Sequence, residues 1–275
     1  MSDQDYADWI GRTTDQSDVI SPCKLAQLRV TLGGLSGPMP VPSGIQWCIA
    51  PDLAPAEALG RDGHPRPGLV LPNLPLPRRM WAGGSLTVHA PFAEGDIVTR
   101  RTTIRDVTFK QGRSGPLGFV AVDHLYSVAG QPRLSERQDI VYRQDPAPGQ
   151  TRAPNVAEDW PGAEGWQITP DPTLLFRFSA LTFNGHRIHY DHPYATGVEG
   201  YDGLVVHGPM QAAWMHNLAA ERMGRFPASF TYRGLTPLIA GDLVRVEART
   251  TEEGLDLRVR RTRDEVVTMQ ARAIH

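Results

Sequence analysis

Residues 203–224 have the sequence GLVVHGPMQAAWMHNLAAERMG, and this stretch decides the fold. From Pro209 onward it is made largely of strong helix formers such as Ala, Met, Gln, Leu and Glu. Pro209 suits the first turn of a helix, and Gly224 suits the position just after the last turn. Apolar residues cover most of the helical surface, and so small a polar face predicts a buried helix.

Strand signals lie on both sides of this helix along the chain. Stretches rich in β-branched residues and bounded by turn residues occur at 97–107, 118–128, 134–142, 230–232, 243–251, 255–259 and 266–274. Many strands with few crossover helices favour an antiparallel sheet. A curved antiparallel sheet wrapped around one buried helix is the hot-dog arrangement, an α+β fold.

Two short patterns recur at nearly the same spacing. Ile20-Ser21-Pro22 resembles Ile168-Thr169-Pro170, at an offset of 148 residues (168 − 20). PFAEGDIV at 91–98 resembles PLIAGDLV at 237–244, at an offset of 146 residues (237 − 91). Two pairs of matching segments at nearly one spacing indicate an internal duplication. The sequence therefore predicts a double hot-dog, with two antiparallel sheets in tandem.

The two copies are separated by a polar segment that begins QDPAPGQ at residue 144. We predict an N-terminal hot-dog at 1–143, a linker at 144–165 and a C-terminal hot-dog at 166–275. Between residues 38 and 77 the first copy is rich in proline, which a long helix cannot accommodate. We therefore predict that the N-terminal copy is degenerate, and that the C-terminal copy holds the buried central helix and all of the catalytic residues.

Composition and charge exclude several functions. A net charge of −2 gives no basic field for nucleic acid. No apolar run reaches the ~18 residues of a membrane span. The acidic, polar N-terminus is unlike a signal peptide, so the sequence predicts a cytoplasmic location. Cys23 and Cys48 cannot form a disulfide framework and lack the spaced partners of a structural zinc site.

The candidate catalytic residues lie in FSALTFNGHRIHYDHP at 178–193. Three histidines, an asparagine, an arginine and an aspartate fall within nine residues of this segment. Histidine titrates near neutral pH, so it can take a proton from water and return it. His207-Gly208 then opens the buried helix, whose N-terminal N–H groups favour negative charge. A proton carrier beside an oxyanion site favours chemistry that passes through an enolate.

Some of these histidines have simpler interpretations. His186, His189 and His192 are metal-ligating residue types, but a spacing of three in irregular chain supports a zinc site only weakly. We therefore expect no metal. His192 precedes a proline and suits a surface or capping position, whereas His216 lies within the helix and suits packing.

The segment resembles the signature of the MaoC-like, (R)-specific enoyl-CoA hydratase family. That signature is Asp-x-Asn-Pro-hydrophobic-His, followed by a His-Gly at the start of the hot-dog helix. In this chain its residues fall, in order, on Asn184, His186, Arg187 and His189, and its His-Gly falls on His207-Gly208. The resemblance implies that His189 is the catalytic histidine and that the N–H of Gly208 receives the thioester carbonyl.

The departures from this signature indicate one branch of the family. LTFNGHRIHYD at 181–191 is similar to hydroxyacyl-thioester dehydratases of the mitochondrial type and to mesaconyl-C4-CoA (3-methylfumaryl-CoA) hydratases. PLPRRMWAGG at 75–84 looks like the second group. The resemblance covers nearly the whole chain. It implies a hydro-lyase that acts on a short, branched, acid-bearing enoyl-CoA such as mesaconyl-C4-CoA.

The resemblance also assigns roles within the site. Asn184 stands where the family has a carboxylate, and it can orient water but cannot take a proton. Proton transfer is then left to His189 alone, or to His189 assisted by Asp191 or His186. The candidate substrate-binding residues are Arg187, His207, Arg78, Arg79 and Trp81. The arginines could pair with a substrate carboxylate or with the phosphates of coenzyme A.

Other functions remain open at this level. They are an itaconyl-CoA hydratase, a 3-hydroxyacyl thioester dehydratase of fatty-acid synthesis, a hot-dog thioesterase, and a non-catalytic hot-dog module that binds acyl thioesters. The fold alone does not decide among them. Coenzyme A belongs to the substrate, so we expect no separate cofactor. We expect no nucleic-acid or membrane partner, and a homodimer is left open.

Overall fold

The computed structural model describes residues 3–112, 115–145 and 155–275. After a short 3-10 helix at Asp3–Trp9, the first half contains β1 (Thr13–Val19), α1 (Pro22–Leu32), α2 (Ile45–Cys48), β2 (Arg78–Val88), β3 (Ile97–Gly112), β4 (Gly115–Val128) and β5 (Gln131–Arg143). The second half contains β6 (Glu164–Ile168), α3 (Pro172–Leu181), α4 (His192–Gly197), α5 (Gly208–Met223), β7 (Ser229–Gly234), β8 (Val244–Thr250), β9 (Gly254–Arg261) and β10 (Val267–Ile274).

The ten strands of the described chain form one antiparallel sheet, in the order β1-β3-β4-β5-β2-β7-β10-β9-β8-β6. Counted inward from the far edge, β6-β8-β9-β10-β7 repeats the order of β1-β3-β4-β5-β2. The two copies join where β2 pairs with β7, from Gly83 opposite Arg233 to Thr87 opposite Ser229. This order confirms the double hot-dog and shows that its two sheets are continuous with each other.

The repeated sequence patterns lie at equivalent places in the two copies. Ile20-Ser21-Pro22 connects β1 to α1, and Ile168-Thr169-Pro170 connects β6 to α3. The segments 91–98 and 237–244 lead into β3 and β8. The patterns therefore mark equivalent connections, as a duplication requires.

Helix α5 forms the centre of the second half. Of its 16 residues, the eleven from Met210 to Ala220 are all buried, as the sequence predicted. Gly224 ends the helix with a φ of 70°, a left-handed conformation that glycine adopts without a steric penalty. A fully buried side chain such as Leu218 contributes roughly 1.5–3 kcal/mol. Tertiary packing therefore holds α5 in place.

The first half has no helix of comparable length at the equivalent position, among the residues that the structure describes. The four-residue α2 stands there instead, within the proline-rich stretch, so the predicted degeneration of this copy is confirmed. The first half packs on α5 of the second. The Asn217 side chain accepts the N–H of Ser43 and donates to the carbonyl oxygens of Leu35 and Ser43. Helix α5 therefore packs against both halves.

The predicted linker overlaps the first strand of the second half. Strand β6 starts at Glu164, inside the predicted linker at 144–165, and residues 146–154 of that linker lie outside the described residues. The bounds 1–143 and 166–275 stay a prediction. None of the helices in the described ranges is long and apolar enough to cross a membrane.

Candidate active site

The loop between α3 and α4 places the predicted catalytic residues. After α3 ends, Phe183 adopts a φ of 51°, which is uncommon for a residue with a side chain. Asn184 then forms an Asx turn, in which its Oδ1 accepts the backbone N–H of His186 at 2.9 Å. A single 3-10 turn at Arg187–His189 follows. This local fold buries both histidines: His186 is 8% exposed and His189 is 6% exposed.

His189 is held beside the start of α5 with one ring nitrogen bound and the other free. Its Nδ1 lies 2.6 Å from the carbonyl oxygen of Val205. A carbonyl oxygen only accepts, so Nδ1 carries the proton and Nε2 is left as the acceptor. The ring stacks on His207, with 3.6 Å between centroids. Because His207 directly precedes Gly208, the base lies next to N–H groups that have no partner within the helix.

The histidines of the site are neutral at neutral pH. Burial lowers the pKa of His189 to about 3, against the opposing effect of its hydrogen bond to Val205. Loss of hydration also lowers the pKa of His64, His186 and His207. The neutral imidazole is the form that accepts a proton. At neutral pH the cluster therefore carries bases and no imidazolium charge.

His207 is buried beneath the ring of His189. It is fully buried, its Nε2 lies 2.8 Å from the Oγ of Ser179 on α3, and Phe178 packs against its ring at 5.0 Å. We predicted from the sequence that His207 binds substrate, but a side chain with no exposed surface cannot reach one. It instead orients the His189 ring and the first turn of α5.

A loop of the first half, residues 60–64, enters the site. It packs so closely on the second half that a Cβ on Gly63 would lie 2.0 Å from the carbonyl oxygen of Gly185. The backbone N–H of Arg187 donates to the carbonyl oxygen of Asp62 at 2.9 Å. The first half therefore contributes a loop to the site, and the prediction that the catalytic residues come from the second half alone stays a prediction.

This loop brings in His64, which sequence reasoning missed. The His64 ring lies 4.3 Å from the ring of His186, and the side chain hydrogen-bonds to Asn184. A histidine two residues after Asp62, in a turn flanked by glycine, was the available signal. It was not used because the partners of His64 lie about 120 residues further along the chain.

Asp62 fixes the orientation of His64. Its Oδ1 accepts the backbone N–H of His64 at 3.1 Å, and its Oδ2 lies 3.3 Å from the ring Nδ1. Arg79 donates to the same Oδ2 at 3.2 Å. Burial opposes ionisation of this carboxyl, but the hydrogen bond from His64 and the charge of Arg79 outweigh it and lower the pKa of Asp62. The carboxylate therefore stays charged between two donors.

The same residues include the atoms best placed to ligate a metal in the described part of the chain. The ligand atoms of Asp62, His64 and His186 lie within 4.8 Å of one another. Two imidazoles and a carboxylate suit first-row transition metals. Arg79, however, already supplies positive charge to the carboxylate of Asp62. This pairing reduces the negative charge that Asp62 could offer to a metal ion.

Arg187 and Asp191, two of the predicted site residues, are bound to each other. Arg187 donates to Asp191 Oδ2 from Nε at 2.9 Å and from Nη2 at 2.7 Å, and its guanidinium lies over the ring of Tyr194. The Oδ1 of Asp191 accepts the N–H of Tyr194 and so caps α4. The expected assistance of Asp191 in proton transfer is not supported by this position, because both of its oxygens are used elsewhere.

The remaining predicted substrate-binding residues lie on β2. Arg78 is buried, with its Nε 2.8 Å from Glu199 Oε2 in an ion pair that lacks the alignment of a hydrogen bond. Arg79 is paired with Asp62 and also donates to the carbonyl oxygen of Pro65. Trp81 packs edge-on against a second tryptophan, 5.4 Å away, where the two halves meet. Each of the three predicted arginines, Arg78, Arg79 and Arg187, therefore already has a carboxylate partner.

A double hot-dog with a neutral histidine held beside a helix N-terminus is the arrangement expected of a hydratase or dehydratase, and the family match identifies the chain as a hydro-lyase. The chain belongs to the hydroxyacyl-thioester dehydratase type 2 family, whose model matches residues 44–240. The family and the enzyme class predicted from the sequence are both confirmed.

Two characterised relatives show how far the similarity extends. The chain is 41% identical over 261 residues to mesaconyl-C4-CoA hydratase of Chloroflexus aurantiacus, covering 94% of this chain and 93% of the relative. It is 25% identical to the mitochondrial hydroxyacyl-thioester dehydratase type 2 of Schizosaccharomyces pombe, covering 83% of this chain and 87% of the relative.

Solved structures agree on the fold. A MaoC-like dehydratase from Phytophthora capsici superposes with a TM-score of 0.69 at 12% identity, covering 98% of this chain and 96% of the other. HtdX of Mycobacterium tuberculosis gives a TM-score of 0.67 at 19% identity, covering 94% and 98%. At these identities the likeness shows the fold alone.

Proposed function

We propose that the protein adds water to mesaconyl-C4-CoA, or to a closely related short, branched and acid-bearing enoyl-CoA, and catalyses the reverse dehydration. The observation that carries this is the placement of His189, whose Nδ1 is bound by Val205 and whose Nε2 is free beside the first turn of α5. The 41% identity to a mesaconyl-C4-CoA hydratase supports the choice of substrate.

The reaction follows from this placement. In hydration, Nε2 of His189 accepts a proton from water while the water oxygen bonds to the β-carbon. The electron pair of the C=C bond moves towards the thioester carbonyl, and the N–H of Gly208 stabilises the charge on the enolate oxygen. The proton on His189 then passes to the α-carbon, and the imidazole returns to its neutral form.

Asn184 contributes a hydrogen-bonding amide to this reaction and no proton acceptor. Coenzyme A belongs to the substrate, and water, substrate and His189 supply every proton and electron pair that moves. We therefore propose a reaction without a separate cofactor, with the acyl-CoA as the protein's partner.

The test is a panel of enoyl-CoA thioesters, followed by loss of the absorbance of the conjugated thioester. Mesaconyl-C4-CoA, itaconyl-CoA and crotonyl-CoA are compared at matched concentrations. We expect the highest kcat/KM for mesaconyl-C4-CoA, and a loss of about 10²–10⁴ in rate for His189→Ala with the fold retained. A preference for crotonyl-CoA would contradict the substrate, and no hydration of any thioester would contradict the function.

A second candidate is a 3-hydroxyacyl thioester dehydratase of fatty-acid synthesis. The match to the hydroxyacyl-thioester dehydratase type 2 family and the similarity to the Schizosaccharomyces pombe enzyme favour it. The two candidates differ in the acyl carrier and in the acid group. Faster dehydration of 3-hydroxyacyl groups on acyl-carrier protein than hydration of mesaconyl-C4-CoA would select this alternative.

A further inference from the structure

A substrate of the proposed kind needs a partner for its acid group. In mesaconyl-C4-CoA the free carboxylate is attached to the β-carbon, the atom that water attacks. The group that binds this carboxylate must therefore lie beside His189 and Asn184. The three arginines predicted to bind it already have carboxylate partners, so the recognition group has to be sought elsewhere.

His64 has the required position and exposure. It hydrogen-bonds to Asn184, its ring lies 4.3 Å from that of His186, and it is close enough to lower the pKa of His189. Its side chain is 27% exposed, whereas His186 and His189 are each less than one tenth exposed. In this cluster His64 is thus the imidazole that a ligand can reach most easily.

Asp62 and Arg79, the charged residues next to His64, favour an anion as the ligand of its ring. The charge of Arg79 neutralises Asp62, and Asp62 holds the Nδ1 side of the ring. The second nitrogen, Nε2, is therefore the one that faces Asn184, and a carboxylate bound there would lie beside the Asn184 amide as well. The ring is neutral in the free protein, so a carboxylate at Nε2 binds together with a proton, and charges then alternate from Arg79 through Asp62 and His64 to the ligand.

We propose that His64, held by Asp62, binds the carboxylate on the β-carbon of the substrate and so selects acid-bearing acyl-CoA thioesters. This inference rests on the proposed function, because it assumes that a thioester occupies the site. It makes the first half the source of substrate selection, while the second half supplies the base and the oxyanion site.

The test is binding of two unreactive thioesters, which needs no turnover. Succinyl-CoA carries a carboxylate on its β-carbon, and butyryl-CoA carries a methyl group there. Dissociation constants are measured by calorimetry for the unaltered protein, for His64→Gln and His64→Asn, and for His192→Gln as a control. His192 is an exposed histidine outside the cluster.

We expect the unaltered protein and His192→Gln to prefer succinyl-CoA. Both His64 variants should lose roughly 10- to 100-fold in affinity for succinyl-CoA, the loss expected for one charge-assisted hydrogen bond. Butyryl-CoA should bind as before, which also shows that the variants are folded. An equal loss for both ligands, or no loss for succinyl-CoA, would overturn the role of His64. The hydration assay tests the proposed function separately, so the two failures are distinguishable.

Discussion

With His189 as the proposed base, its protonation should set the lower pH limit of catalysis. Its pKa of about 3 lies well below the ordinary value of about 6.5. At pH 5 a histidine of ordinary pKa is roughly 97% protonated and has lost about thirty-fold in active base, whereas a pKa of 3 leaves about 99% of His189 neutral. We therefore expect kcat/KM for a neutral substrate to stay level from pH 7 to pH 5.

The measurement is kcat/KM for crotonyl-CoA hydration across this range, because this parameter reports the free enzyme. Asn184→Asp provides the matched perturbation. An aspartate can still accept the N–H of His186, but its charge should raise the pKa of His189 by about 1–3 units and move the acidic limb upward. An acidic limb near pH 6.5 in the unaltered protein would refute the assignment of a buried, neutral His189 as the base.

The remaining predictions concern stability and the contacts between the halves. Gly63→Ala should cost about 2 kcal/mol or more in the free energy of unfolding in urea, whereas Gly95→Ala, also left-handed but with open space, should cost only about 1 kcal/mol; equal costs would show that the loop at 60–64 is not tightly packed. Asp191→Asn keeps the helix cap and should leave kcat within about threefold; a hundredfold loss would restore Asp191 to proton transfer. Glu199→Gln leaves Arg78 buried and unpaired, which should cost about 3–5 kcal/mol in the same unfolding assay; a cost below about 1 kcal/mol would mean that water reaches the pair.

The pH dependence of stability has a definite sign. Burial lowers the pKa of His189 and of His216 to about 3, so each binds a proton more readily in the unfolded chain. Their contribution to stability is present above about pH 6.5 and is lost as the pH falls. Each should cost about 2 kcal/mol between pH 6.5 and pH 5. A thermal unfolding midpoint that does not fall over this range would contradict their burial.

The fold was largely predictable because its signals are local. The apolar surface of residues 209–223 and the two repeated patterns each lie within a short stretch of sequence. They specify a buried helix and a duplication without knowledge of the partners. The continuity of the sheet through β2 and β7 was not predictable, because pairing between two copies leaves no pattern in either strand.

The site was predictable only in part, for the same reason. His189 lies in a compact motif, and its position beside Gly208 follows from the chain order. The partners of the charged residues are set by tertiary contacts, so the sequence showed Arg79 but not that Asp62 neutralises it. His64 was missed because its place in the site depends on the packing of Gly63 against Gly185, a contact between the halves.

The shared helix α5 has an evolutionary consequence. Two equal copies, each with its own helix, would carry two equal sites related by twofold symmetry. Here the first copy kept only the short remnant α2, and the chain that replaced the helix carries Asp62 and His64. A substitution in this part of the first copy therefore acts on the site that the second copy forms, and the two copies are expected to constrain each other's sequence.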